Sequence, residues 1–167
     1  MKIAVILGSY SDFDIMKKCM DTLHEFDIEF EVSVISAHRA LNNLQDYIKS
    51  LEEKNIELVI AAAGKAAHLP GVIAAMTILP VIGVPVKSST MDGLDSLLSI
   101  VQMPSGVPVA TVAINGSENA ALLGIEILSL KYDTLKTKLR AFREKLRKDL
   151  EEKDAKIKEE VSLLWKD

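Results

Sequence analysis

The chain predicts a three-layer α/β domain, a doubly wound parallel sheet of about five strands, followed by a long C-terminal helical arm. Three observations carry this. Short β-branched runs recur with helix-spaced segments between them. The runs are apolar almost throughout, as strands covered on both faces must be, and not alternating like half-exposed ones. The last part of the chain carries an apolar stripe at helical steps instead. At 167 residues, 49% of them hydrophobic, the chain can bury a substantial core in one body.

The elements come in order. Residues 3–7 form the first strand, and Gly8-Ser9-Tyr10-Ser11-Asp12 turns it into a helix whose apolar face is Ile15, Met16, Cys19, Met20, Leu23 and Phe26. Residues 30–35 form the second strand. Leu41, Leu44, Tyr47, Ile48 and Leu51 recur at helical spacing before a third strand at 58–62. Residues 80–84 and 107–114 supply the fourth and fifth strands. Between them, residues 86–106 are richer in Ser, Gly, Asp and Met, with Asp92-Gly93 and Ser105-Gly106 as turn signals around a short helix at 94–101.

After Gly116 the chain reads as helix to its end. Asn119-Ala120-Ala121-Leu122-Leu123 opens the first part, and Leu135, Leu139, Phe142, Leu146, Leu150, Ile157, Val161 and Leu164 form the later stripe. One helix over 134–166 would span roughly 50 Å at 1.5 Å per residue, whereas a compact body of this size is about 35 Å across. One body cannot cover such a stripe. Residues 1–130 are therefore expected to form the main domain, and residues 131–167 an arm that packs on neighbouring subunits of a homo-oligomer, a reading preferred to a bent or frayed surface helix.

Charge and cysteine usage narrow the function. Residues 1–130 hold eight Lys and Arg against fifteen Asp and Glu, a net −7, while residues 131–167 come to +3. An acidic body offers no basic stripe for a nucleic acid, so any phosphate it binds must be held by local groups. Cys19, the only cysteine, falls on the inward face of the first helix with no histidine at helical spacing, which predicts a buried, inert thiol. The apolar start is too short for a signal peptide, and no run reaches membrane-spanning length. A soluble, cytoplasmic protein is expected.

Three polar clusters come directly after strands, and parallel sheets bind ligands at the carboxyl ends of their strands. In the first, Gly8 permits a tight turn, Ser9 and Ser11 can donate to an anion, and the free amides of the helix start add positive potential. A plain helix cap, Ser11 with Asp14 three residues on, accounts for one serine and leaves Ser9 without a task. Asp12 suits sugar hydroxyls better than phosphate. The second cluster is Ser36-Ala37-His38-Arg39. Arg39 can grip phosphate with two hydrogen bonds, Ser36 adds a hydroxyl, and histidine is the side chain whose proton moves most readily near neutral pH. The third is Ala63-Gly64-Lys65-Ala66-Ala67-His68-Leu69-Pro70-Gly71. Its small residues allow close approach to a ligand, or simply tight packing of helix on sheet, and neither use explains Lys65 unless it faces solvent or an anion. These two clusters hold two of the three histidines. His24, His38, His68 and Cys19 lack ligand spacing, so no metal site is expected. Spacing alone points to a small-molecule phosphate site with a histidine beside it.

These clusters, together with residues 80–86, the run Asp95-Ser96-Leu97-Leu98-Ser99-Ile100-Val101-Gln102-Met103-Pro104 and residues 119–123, resemble the PurE family over roughly residues 2–130. Within it they resemble the class of N5-carboxyaminoimidazole ribonucleotide mutases. The resemblance implies a homo-octamer of flavodoxin-like subunits that moves a carboxylate from the exocyclic nitrogen of an aminoimidazole ribonucleotide to C4, without cofactor or metal. It implies that Ser9, Ser36 and Arg39 hold the phosphate, that Asp12 binds the ribose, and that His38 shuttles the proton. His68 and its loop, with Gly64, Lys65, Ala66 and Leu69, would enclose the carboxylate; Gly8, Ser11 and Ala37 complete the expected site. Against the family pattern, Ala40-Leu41 replaces Thr-Pro, Phe13 replaces Trp, Lys65 replaces Gly, and residues 115–118 are a shortened segment. The alternatives are the family's direct carboxylation of aminoimidazole ribonucleotide with carbon dioxide, which the Ala-Ala-His-Leu-Pro-Gly run disfavours, and a non-catalytic flavodoxin-like binding module.

Overall fold

A computed structural model describes residues 1–165, so the last two residues of the arm expected at 131–167 lie outside the described residues. The elements are β1 (Lys2–Leu7), α1 (Phe13–Glu25), β2 (Glu29–Val34), α2 (Leu41–Lys49), β3 (Leu58–Gly64), α3 (Leu69–Ala74), β4 (Val81–Val86), α4 (Leu94–Val101), β5 (Ala110–Thr111), α5 (Ser117–Ser129) and α6 (Asp133–Leu164). The five strands are all parallel, in the order β2-β1-β3-β4-β5. Two compact units emerge, Met1–Leu128 and Ser129–Asp167.

The sheet is sandwiched because alternate residues of its central strands are apolar on both sides. On one face Ala4, Ile6, Val59, Ala61 and Val81 pack with Leu44 and Ile48 of α2, Leu69 and Ile73 of α3 and Ile100 of α4. Ile3, Val5, Leu58 and Ile60 turn to the other face, where Gly124 of α5 comes so close that a Cβ there would stand 3.3 Å from Leu58. Gly83 of β4 is needed for space: a Cβ would lie 2.4 Å from Ile100 of α4. Cys19 is fully buried on α1, and burial pushes its thiol up to about 12, which keeps it protonated and unreactive.

Two strands differ from expectation. β2 is not covered on both sides: it is the sheet edge, with Val32 and Val34 left 38% and 52% exposed. Its charges at Glu29 and Glu31 suit an edge that must not pair further. The fifth strand, expected over 107–114, shrinks to two residues. Pro108 has no N–H to donate, Gly106 turns at φ +97°, and Val107 is tied back to the Pro104 carbonyl. Helix α2 starts at Ala40 with no side-chain cap, a local consequence of Ala standing where the resemblance has Thr. The helical tail is interrupted at 130–132, where Tyr132 is extended, and α6 then runs 32 residues, about 48 Å. On α6, Leu135 and Leu139 are buried, while Leu146, Leu150, Ile157, Val161 and Leu164 are exposed.

Candidate active site

All thirteen residues singled out above line one cavity of about 670 Å³ at the carboxyl ends of the strands. The topology accounts for this: β2, β1 and β3 are neighbours, so the turns after them converge.

The turn after β1 is a single 3-10 turn, Tyr10–Asp12, capped by Ser9 and not by Ser11. The Ser9 N–H donates to Asp12 Oδ2 at 3.1 Å, and Ser9 Oγ accepts the Ser11 hydroxyl at 3.0 Å. The cap expected between Ser11 and Asp14 does not form; Asp14 pairs instead with Lys17 at 2.7 Å. Ser9 thus has a structural task, yet its oxygen only accepts, and its own proton remains for a ligand. Asp12 is 5% exposed, and burial raises its carboxyl above the ordinary value against the opposing bonds from Ser9 and Ser11. Gly8 is not left-handed, and a Cβ there would make ordinary contacts of 3.4–3.7 Å, so the expected need for glycine at this turn is not backbone conformation.

After β2, Ser36 Oγ accepts the Arg39 N–H at 3.3 Å, which again leaves the hydroxyl proton unspent. After β3, Lys65 sits at φ +55°, the left-handed conformation that its replacement of a glycine implies, and Ala67 and His68 N–H groups close successive tight turns onto Lys65 and Ala66 at 2.8 Å each. His68 stands at the start of α3 without capping it. Its ring is therefore available, and it meets His38: Nε2 of His38 lies 2.8 Å from Nδ1 of His68, with the rings at 67°. One ring must donate and the other accept, so the two imidazoles share a proton. Arg39 and Lys65 have no carboxylate within ion-pair distance among the described residues.

A profile of the AIR carboxylase family matches residues 2–149. The chain belongs to that family. The match runs beyond residue 130 into the first half of α6, further than the motifs alone extended. Similar proteins include the N5-carboxyaminoimidazole ribonucleotide mutases of Pyrococcus abyssi, 55% identical over 88% of this chain and 84% of that one, and Pyrococcus horikoshii, 52% identical over 94% and 89%. Among solved structures, PurE of Treponema denticola superposes with a TM-score of 0.86 at 28% identity, covering 94% of this chain and 98% of that chain.

The cavity has a further wall that sequence reasoning missed. Lys87, Ser88 and Ser89 come straight after β4 and line it, with Ile15, Ala63 and Val86. The signal was present, since a polar cluster directly after a strand is the same pattern that marks the other three turns. Among the described residues no group of His, Cys, Asp and Glu is placed to hold a metal ion, and no helix is long and apolar enough to cross a membrane.

Proposed function

We infer that this chain is an N5-carboxyaminoimidazole ribonucleotide mutase, which moves the carboxylate from N5 to C4 to give 4-carboxy-5-aminoimidazole ribonucleotide in de novo purine biosynthesis. The observation that carries it is the imidazole pair, 2.8 Å apart in a cavity whose cations Arg39 and Lys65 have no carboxylate within ion-pair distance among the described residues. The names of the relatives agree with it.

Substrate and product are isomers, so the reaction needs no oxidant, no phosphoryl donor and no net proton. It needs one proton delivered to N5, carbon dioxide kept beside C4 after the N–C bond breaks, and one proton removed from C4 once the new bond forms. A histidine that delivers the first proton becomes the base for the second. In this reading His38 carries that proton, and its bond to His68 sets which ring nitrogen holds it. Ser9, Ser36 and Arg39 grip the phosphate and so fix the reacting end at a distance. Asp12 takes the ribose hydroxyls on lone pairs that Ser9 and Ser11 leave free. His68 and the loop through Gly64, Lys65, Ala66 and Leu69 enclose the carboxylate, and small apolar walls such as Ala37 keep water from it.

Purified protein given the N5-carboxylated ribonucleotide, with chelator and without ATP, should form the C4-carboxylated product, monitored by absorbance. Product from aminoimidazole ribonucleotide and bicarbonate alone would assign direct carboxylation, and ligand binding without turnover a non-catalytic module.

The partners in this reading are the small-molecule substrate and further copies of the chain, a cytoplasmic homo-octamer with neither nucleic acid nor membrane bound. The exposed stripe on α6 supports this. Deleting residues 134–167 removes the whole stripe, including the exposed Leu146, Leu150, Ile157, Val161 and Leu164, each worth about 1.5–3 kcal/mol when fully buried. Light scattering should then report smaller species or aggregate, and an unchanged mass would remove the arm from the assembly.

A further inference from the structure

Lys87 lines the cavity and has no part in the reading above. It stands directly after β4, at the same rim as Arg39 after β2, Ser9 after β1 and His68 after β3. In the order β2-β1-β3-β4 the first and last of these are three strand spacings apart, about 14 Å at about 4.8 Å each. The cavity therefore carries a cation at either end with the imidazole pair between them.

The root of Lys87 is fixed and its head is loose. Its N–H donates to Asn115 Oδ1 at 2.8 Å, and the Asn115 N–H donates to the Pro85 carbonyl at 2.8 Å. Gly93 comes so close that a Cβ there would stand 3.1 Å from the Lys87 Cα. The neighbouring Ser88 is buried, with its hydroxyl 3.0 Å from both oxygens of Asp95. The Lys87 ammonium, in contrast, has among the described residues only Asp92 at 3.1 Å, in a pair whose side chains are 56% and 85% exposed. Exposed pairs of this kind are weak, so an anion brought into the cavity can take the ammonium from Asp92.

We propose that Lys87 receives the carboxylate of the substrate, the anionic group remote from the phosphate, and leaves Asp92 to do so. This rests on the substrate inferred above. A ribonucleotide carrying both phosphate and carboxylate matches a cavity lined by Arg39 after β2, Lys65 after β3 and Lys87 after β4, whereas one carrying phosphate alone offers nothing to Lys87. Lys87 then discriminates the carboxylated ribonucleotides from aminoimidazole ribonucleotide. Carbon dioxide is neutral, so the contact acts on substrate and product and not on the intermediate between them. Its loss raises KM without lowering kcat.

The test measures calorimetric affinity for the C4-carboxylated ribonucleotide, aminoimidazole ribonucleotide and inorganic phosphate, together with steady-state turnover. Lys87→Gln should weaken the carboxylated ligand tenfold or more, leave the other two within twofold, and raise KM at undiminished kcat; Lys87→Arg should restore most of the loss. Asp92→Asn, whose side chain tolerates the local φ of +54°, should free the ammonium and tighten the carboxylated ligand two- to threefold. Equal weakening of all three ligands would place Lys87 on the phosphate, and unchanged affinity would leave it with Asp92; either overturns the proposal. If wild-type protein still interconverts the carboxylated ribonucleotides, only the role of Lys87 falls. Wild type that neither binds nor converts them removes the inferred function as well.

Discussion

Two charge clusters on the same sheet are built in opposite ways. Around Glu31 on β2, the Tyr47 hydroxyl donates at 2.6 Å, Lys54 at 2.8 Å, and Lys2 stands at 3.2 Å, while Lys54 also lies 4.3 Å above the Tyr47 ring. Burial alone would push the Glu31 carboxyl up, but the bonds from Lys54, Tyr47 and Lys2 outweigh it and bring it down to about 2. Burial and Glu31 together push the Tyr47 hydroxyl up. At the cavity rim, Arg39 and Lys65 have no carboxylate within ion-pair distance among the described residues, and the two histidine rings bond to each other. Acids are not scarce: they outnumber bases fifteen to eight over residues 1–130. Folding completes the first cluster and leaves the second open, as the proposed substrate site requires.

The sharpest way to break this contrast is to remove the proton from the rim. His38→Asn keeps a polar group of similar size, so turnover should fall by about a hundredfold or more, within the usual contribution of general acid–base catalysis. Substrate should still bind, because Ser9, Ser36 and Arg39 remain. If His38→Asn turns over normally while His68→Asn is dead, the shuttle is His68. Next in size is Arg39→Ala. Loss of a charged hydrogen-bond partner costs about 1.5–3 kcal/mol, so affinity for the ribonucleotide should drop about 10- to 100-fold while the melting temperature holds. A large fall in melting temperature would mean that Arg39 belongs to the fold after all.

The Glu31 cluster should respond in the reverse sense. Glu31→Gln removes one charge and leaves Lys54 and Lys2 without it; with the Glu31 side chain 24% exposed, a loss of about 1–2 kcal/mol of stability is expected, with turnover unchanged. The pH dependence comes from the direction of the shift. The folded carboxyl lies below its ordinary 4.5, so its contribution is complete above that value and is lost as pH falls from about 4.5 through about 2. Urea unfolding of wild type and Glu31→Gln should therefore converge towards acid pH. Parallel curves down to pH 2 would exclude Glu31 from acid stability.

How far the sequence can be read differs between these regions for physical reasons. β1, β3 and β4 are buried on both faces, so hydrophobicity alone marks them, whereas the edge position of β2 depends on which strand has no neighbour. Its alternation of Glu29, Glu31 and Ser33 with apolar residues is visible but stands beside an apolar run at 34–35. At the first turn, Ser9 with Asp12 and Ser11 with Asp14 have the same spacing, and only the 3-10 turn selects the former. The three clusters converge because strand ends converge, which a sequence can indicate. The 2.8 Å contact of His38 with His68 depends on two loop conformations and carries no periodicity to read. Lys87 is masked by its surroundings: the Ser, Gly and Asp content of residues 86–106 signals turns, and one lysine at its start carries no glycine or histidine to set it apart.

Lys65 offers the smallest effect and the finest distinction. Its φ of +55° is costly for a side chain that gains nothing from it, about 1–2 kcal/mol. Lys65→Gly relieves that cost but gives the unfolded chain more freedom, worth about 0.4–1 kcal/mol, so a net gain near half a kcal/mol is expected in urea unfolding. Strain retained at a cavity wall is best explained by a ligand that uses the residue. The ammonium has no acid partner among the described residues and lies on the His68 loop, so its removal should raise KM for the carboxylated substrate severalfold while kcat changes little. Lys65→Asn separates the two effects, because asparagine tolerates the left-handed conformation without the charge. If both variants gain stability and KM stays fixed, Lys65 is tolerated strain, and the unpaired cations at the rim reduce to Arg39.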